Sequence, residues 1–98
     1  MSDDIHVSVA SGEEAAQLKE DFEEVIARVN GDLMSCTMEP GDPISVEAAI
    51  AFAERAVDHH LSTFADNAPL QSLGPEIRRR FRAGIEQQAR LARERASR

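Results

Sequence analysis

Four arginines near the carboxyl end form the strongest candidate contact surface in the chain. Drawn as a helix, this segment places four guanidinium groups on one side, around Glu86: Arg79, Arg82, Arg90 and Arg93. Guanidinium groups in such an array bind phosphates or carboxylate-rich protein surfaces. The plainer interpretation is a solvated outer face whose positive charge complements the carboxyl end of the helix dipole.

A second candidate contact surface, the acidic ridge, lies on the first predicted helix. It consists of Glu20, Glu23 and Glu24. Carboxylates along a helix can bind a basic partner. They can also imitate the phosphate backbone of a nucleic acid and so block a protein that binds nucleic acid. Both surfaces therefore indicate a function exerted by contact.

The sequence Asp58-His59-His60 suggests a metal site, but its spacing is wrong for one. Neighbours on a helix point about 100° apart, whereas helical metal ligands use the i, i+4 spacing. No second strong ligand stands four residues after any of the three. His60 is expected instead to be a hydrogen-bonded residue at the edge of the core.

Three sulfur-containing residues, Met34, Cys36 and Met38, would share one side of an extended segment and could bind Cu(I). The favoured interpretation is that they pack on the core, as methionine and free cysteine usually do. There is also no glycine-rich phosphate loop, and no spacing pairs a nucleophile with a base. We therefore predict no metal, no cofactor and no enzymatic activity.

Charge is distributed unevenly along this acidic chain. The net charge is −7 over 98 residues, but residues 1–72 carry −12 and residues 73–98 carry +5. An acidic protein is disfavoured as a nucleic-acid or membrane-surface binder. The single cysteine excludes an internal disulfide and favours the cytoplasm. No apolar stretch reaches the ~18 residues of a membrane span, and the acidic N-terminus is unlike a signal peptide.

The stretch from Val46 to Phe64 must organise the fold that positions these surfaces. Its apolar residues cover about twice the ~100° stripe of an ordinary surface helix, so it should contact two partner helices. Ile50 and Val57 should be fully buried. The chain length suits one helical domain over residues 1–98.

The predicted fold is all-α, a three-helix up-down bundle with helices at about 12–30, 45–64 and 75–97. Ser11 and Glu14 form a capping box before the first helix, and Gly31 is its expected stop. Ser45 is the expected cap of the second helix, and Pro75 suits the first turn of the third. The predicted inner stripe of the third helix consists of Ile77, Phe81, Ile85, Gln88 and Ala92. Gly84, beside this stripe, suggests close helix approach.

An α+β alternative follows from the alternating apolar residues near the N-terminus. Residues 4–9 would form a short two-stranded ribbon with residues 33–38. Otherwise residues 1–10 form a flexible arm. A strand without partners is not stable, so the ribbon requires both segments to be extended.

These features favour a small acidic protein-interaction module: an accessory subunit, a regulator or an inhibitor that occupies a partner's surface. The alternatives are a nucleic-acid-associated protein that uses the basic C-terminal helix, and an acidic mimic of nucleic acid. A homodimer is also expected, through the arginines of one chain and the acidic ridge of another. It would cover Ala48, Phe52, Ala56, Leu91 and Ala92. The rival is a monomer in which the third helix lies against the first.

Overall fold

The structure is a computed structural model that describes the backbone of residues 2–97 and the side chains of residues 12–97. Over this range the protein is all-α and contains no strand. Its elements are α1 (Ser2–Leu33), α2 (Pro43–Ser62), α3 (Ala68–Ser72) and α4 (Gly74–Ala96). The all-α prediction is confirmed.

Helix α2 begins two residues earlier than predicted, because Asp42 caps it instead of Ser45. The Asp42 carboxylate accepts a 3.0 Å hydrogen bond from the Ile44 amide, and Pro43 occupies the first turn, where its missing N–H has no cost. The Ser45 hydroxyl accepts from the Glu39 amide at 2.8 Å. Ser45 therefore fixes the preceding turn.

Helix α2 packs against both α1 and α4, as its wide apolar surface predicts. Ile50 and Val57 are 0% exposed, which confirms their predicted burial. Two core clusters lie along the helix. Val57 packs with Val25 of α1, and Ile50 packs with Ile85 of α4. Each half of α2 thus organises one part of the core.

Helices α1 and α4 both pack on α2 but contact each other little. The predicted three-helix up-down bundle is not confirmed, and residues 2–97 form four helices in place of three. The extents are 61 × 26 × 18 Å and the radius of gyration is 17.4 Å. A compact domain of about 100 residues has a radius of gyration near ~13 Å. The molecule is therefore elongated.

The predicted ribbon is wrong, and so are both predicted ends of the first helix. Residues 4–9 belong to α1, and the segment from Leu33 includes a turn in which the Cys36 amide donates to the Leu33 carbonyl at 3.0 Å. That segment offers no strand partner. Gly31 has no positive φ, and α1 continues through it because Asp32 and Leu33 make contacts that hold the last turn.

Helix α3 is an element that the sequence analysis does not predict. Its N-cap residue, Asn67, accepts from the Leu70 amide at 3.0 Å and donates to Asp21 of α1 at 2.8 Å. The Gln71 amide group donates to the Leu61 and Phe64 carbonyls, both at 2.9 Å, and so satisfies the carboxyl end of α2. Leu70 is fully buried below these contacts.

Helix α4 matches its predicted range within one residue at each end. Ile77 and Ile85 are buried and Phe81 is half-buried, as the predicted inner stripe requires. Gln88 of that stripe is exposed, and Ala89 is buried in its place. The close helix approach predicted at Gly84 is wrong, because a Cβ there would have no neighbour within 4 Å.

Replacing Gly84 with alanine is therefore expected to stabilise the protein. An interior helical glycine costs ~1 kcal/mol relative to alanine, which corresponds to roughly 4–8 °C in Tm for a domain of this size. Gly74→Ala is the matched control, since its Cβ would lie 3.2 Å from Leu61 Cδ1 and should bring no such gain. Thermal unfolding followed by circular dichroism measures both. A lower Tm for Gly84→Ala would show a constraint at this position.

Candidate functional site

Arg82 is the one predicted contact arginine that is largely neutralised by neighbouring carboxylates. Its guanidinium lies 3.4 Å from Glu47 and 3.9 Å from Glu54 of α2, and 3.8 Å from Glu86 of its own helix. Two of these carboxylates belong to the helix that α4 packs against. Arg82 therefore stabilises the α2–α4 contact and is poorly placed to bind a partner.

Arg79 is exposed and pairs with Glu76 one turn earlier, as does Arg80 at 3.3 Å. The hydrogen bond from Arg79, followed by that from Arg80, lowers the pKa of Glu76 below its ordinary value of 4.5. A lowered carboxyl pKa adds stability above the ordinary pKa. That stability is lost as the pH falls through the lowered pKa. Because both side chains are largely open to water, their interaction is screened by solvent and salt.

The carboxyl half of α4 carries several exposed arginines and one exposed leucine, with the exposed Glu94 among them. We define the α4 surface as Arg90, Leu91, Arg93 and Arg95. All four are exposed, Leu91 by 44%. Arg93 donates to the Pro40 carbonyl at 2.9 Å, which orients its guanidinium against the linker between α1 and α2. Among side chains 12–97, no hydrogen bond or ion pair involves Arg90 or Arg95.

The acidic ridge is exposed along α1, as its sequence predicts. Glu20 and Glu23 are open to solvent, and Glu24 pairs with Arg28 at 2.8 Å. The neighbouring Asp21 is half-buried and holds Asn67, so it is structural. Because α1 and α4 contact each other little, the structure does not bring the ridge and the arginines together into one site.

His60 makes a structural contact between two helices. His60 Nε2 lies 2.7 Å from Asp32 Oδ2, which joins α2 to the end of α1 and confirms the predicted hydrogen-bonded position. Asp58 pairs with Arg78 at 2.6 Å. Within the part of the chain that the structure describes, no cluster of three His, Cys, Asp or Glu could hold a metal ion.

The three sulfur side chains do not share one side, contrary to the extended arrangement weighed above. Cys36 and Met38 pack against the core cluster around Ile50, whereas Met34 is 88% exposed. The turn after α1 rotates Met34 away from the other two. The prediction that all three pack on the core is therefore correct for Cys36 and Met38 and wrong for Met34.

Three large apolar side chains are exposed over the described range: Met34, Ile44 and Leu91. The sequence pattern anticipated only the exposure of Leu91. Of the patch expected to need a dimer partner, Ala56 is buried, Phe52 and Ala92 are half-buried and only Ala48 and Leu91 are exposed. Apart from Leu91, the residues of that patch are either buried at least in part or have small side chains.

Two further observations limit the kinds of site present. Every buried side-chain N or O atom in residues 12–97 has a hydrogen-bond partner, so no orphaned polar group points to a ligand cavity. None of the helices in the described range is both long and apolar enough to cross a bilayer.

The fold and these surfaces define a small all-helical protein whose charged helix faces are its main chemical features. Residues 10–96 match the model of the YuaX family, and the chain belongs to that family. No curated protein and no solved structure matches the chain.

Proposed function

We propose that this protein is a small cytoplasmic interaction module that occupies the surface of another protein and carries out no catalysis. It would serve as an accessory subunit, a regulator or an inhibitor. The observation that supports this most directly is the α4 surface, where exposed arginines flank the exposed Leu91.

The composition of the α4 surface favours a protein partner. Arginine is enriched at protein interfaces, and an apolar side chain among arginines supplies the area that excludes water from their contacts. Leu91 is 44% exposed, so it can enter an apolar pocket without disturbing the core. The complementary partner surface carries carboxylates around such a pocket.

Burial within α4 separates this surface from the residues that hold the fold. Ala89 and Ile85 face the core, whereas Arg90 and Leu91 face solvent. Arg82, in contrast, is engaged with three carboxylates. The proposed contact surface is therefore the carboxyl half of α4. Of the four predicted arginines, it includes Arg90 and Arg93.

The experiment is quantitative co-purification of the tagged chain from its native host, with partners identified by mass spectrometry. Arg90→Glu combined with Leu91→Asp should reduce recovery of a specific partner at least ~tenfold, since it removes a charge contact and an apolar anchor. Arg55→Glu, an exposed charge reversal on α2, is the matched control and should retain the partner. Equal recovery with all variants would contradict the proposal.

Two other outcomes select the alternative functions. Loss of a basic partner on Glu20→Lys combined with Glu23→Lys, and not on the α4 substitutions, would assign function to the acidic ridge as a mimic of nucleic acid. Salt-dependent binding of the purified chain to DNA, lost with Arg90→Glu, would make it a nucleic-acid-associated protein. Either result would contradict the proposal that the α4 surface binds a protein partner.

A further inference from the structure

The chain itself carries a surface of the kind that the α4 surface requires in a partner, with carboxylates around an apolar depression. A cleft of about 530 Å³ lies between α1 and the segment that joins α2 to α3. Its lining includes three carboxylates and two apolar rings: Glu14, Asp21, Asp66, Phe64 and Pro69. We call it the acidic cleft. None of the side chains that line it is a lysine or an arginine.

Among the described side chains, no cation pairs with the carboxylates of the acidic cleft. Asp21 accepts hydrogen bonds from two neutral amide groups, that of Gln17 at 2.9 Å and that of Asn67 at 2.8 Å. Within residues 12–97, neither Glu14 nor Asp66 takes part in a side-chain hydrogen bond or an ion pair. The negative charge of the cleft is therefore available to a basic group from outside the molecule.

The acidic cleft also offers apolar contact area. Phe64 is half-buried and Pro69 is exposed, so both present apolar atoms to the solvent in the cleft. Arg28 lies at its edge, 5.5 Å from the centre of the Phe64 ring, and pairs with Glu24 at 2.8 Å. An apolar side chain next to a cation would therefore fit this cleft better than a cation alone.

The α4 surface has the complementary composition. Its three arginines and the neighbouring Glu94 leave a net charge of +2. Arg90 and Arg95 have no partner among the described side chains, and Arg93 donates only to a neutral carbonyl. Leu91 supplies an exposed apolar side chain among them. Both surfaces thus hold charges of opposite sign that the fold itself does not neutralise.

We infer that the α4 surface of one copy of the chain docks in the acidic cleft of a second copy. Leu91 lies against Phe64 and Pro69 in this contact, and the arginines face the cleft carboxylates. The opposite charge on each side, Glu94 and Arg28, can then pair as well. The contact rests on the proposed function, because it uses the same α4 surface and names a second copy as a partner for it. Self-association therefore competes with any other protein for that surface.

The two surfaces lie at opposite ends of α2. Residues 63–69, which follow α2, help to form the acidic cleft, whereas Ala89 of α4 packs with Val46 and Ala49 near the start of α2. Two antiparallel copies can therefore make the same contact twice about a two-fold axis. This dimer differs from the one predicted from the charge pattern, because the acidic ridge does not line the cleft.

Sedimentation equilibrium of the full chain, at concentrations up to hundreds of micromolar, tests the contact. Arg90→Glu and Glu14→Arg each reverse an exposed charge on one of the two surfaces. Each should raise the Kd of self-association at least ~tenfold, since like charges then face each other. Arg55→Glu and Glu23→Arg are the matched controls. They make the same changes at exposed positions outside both surfaces and should leave the Kd unchanged.

A mixture of the two single variants identifies the contact. In a mixed dimer, one contact has the wild-type residue on both sides, and the other pairs the two reversed charges, which again attract. An equimolar mixture of Arg90→Glu and Glu14→Arg chains should therefore associate with an affinity near that of the wild type, although neither variant does so alone. A mixture no tighter than the single variants would overturn the proposed contact.

Glu14→Arg also separates this contact from the proposed function, because it alters the cleft and leaves the α4 surface intact. It should abolish self-association and still retain a foreign partner in co-purification, whereas Arg90→Glu combined with Leu91→Asp should lose both. A chain that is monomeric at every concentration would overturn the self-association and leave the proposed function standing. A monomeric chain that loses a basic foreign protein on Glu14→Arg would also overturn it, and would assign the cleft to that protein.

Discussion

Replacing Ile50 with alanine is expected to lower the free energy of unfolding by ~2–5 kcal/mol, the usual cost of truncating a buried isoleucine. For a domain of this size that corresponds to a fall in Tm of roughly 8–40 °C. Ile50 is 0% exposed and packs on the α2–α4 side of the core with Val46, Ala53 and Ile85. Chemical denaturation with a full two-state fit measures the loss.

Ile44→Ala is the matched control for Ile50→Ala. Both substitutions remove the same side-chain atoms from α2. Ile44, however, lies in the first turn of the helix and is 81% exposed. The change should alter stability by no more than ~0.5 kcal/mol, as surface substitutions usually do. Comparable losses from the two variants would contradict the central position of α2.

Replacing Leu70 with alanine is expected to cost nearly as much, ~2–5 kcal/mol, although α3 has only five residues. Leu70 is 0% exposed and belongs to the core cluster that contains Val25 and Val57. Its loss opens a cavity where α1, α2 and α4 meet α3. Thermal and chemical unfolding should both report the loss.

Leu91→Ala serves as the control for Leu70→Ala, because Leu91 is the exposed leucine of the α4 surface. It should change stability little while weakening partner binding. If Leu70→Ala left the free energy of unfolding unchanged, α3 would only cover the core from outside. A strongly destabilising Leu91→Ala would place that side chain in the fold and remove it from the proposed contact.

The sequence pattern predicts α2 and α4 well because their apolar residues recur at helical spacing over many turns. The pattern also predicts which side chains are buried, including Ile50, Val57 and Ile77. The ends of the helices were harder to predict. Asp42 and Ser45 are both good caps, and only the Ser45–Glu39 contact across the turn decides between them.

The path of α1 could not be predicted from local signals. Ser11 and Gly31 have the residue types that begin and end helices, yet both lie inside α1. At Gly31 the decisive contacts are tertiary, since Asp32 bonds to His60 of α2 and Leu33 packs on both core clusters. Such partners are distant in the chain and leave no local pattern.

The sequence predicts which charged residues share a helix face. It does not predict which of them form ion pairs within the protein. Arg82 and Arg90 are equivalent in the sequence pattern, and the structure separates them because only Arg82 lies opposite Glu47 and Glu54 of α2.

Native-state hydrogen exchange tests most directly the central claim that α2 organises the fold and leaves residues 12–17 of α1 and the carboxyl half of α4 exposed. Amides of residues 46–61 should exchange only by global unfolding, whereas amides of residues 12–17 and 90–96 should exchange through smaller local openings. Protection that is uniform along the three long helices, or greatest in α4, would contradict the claim.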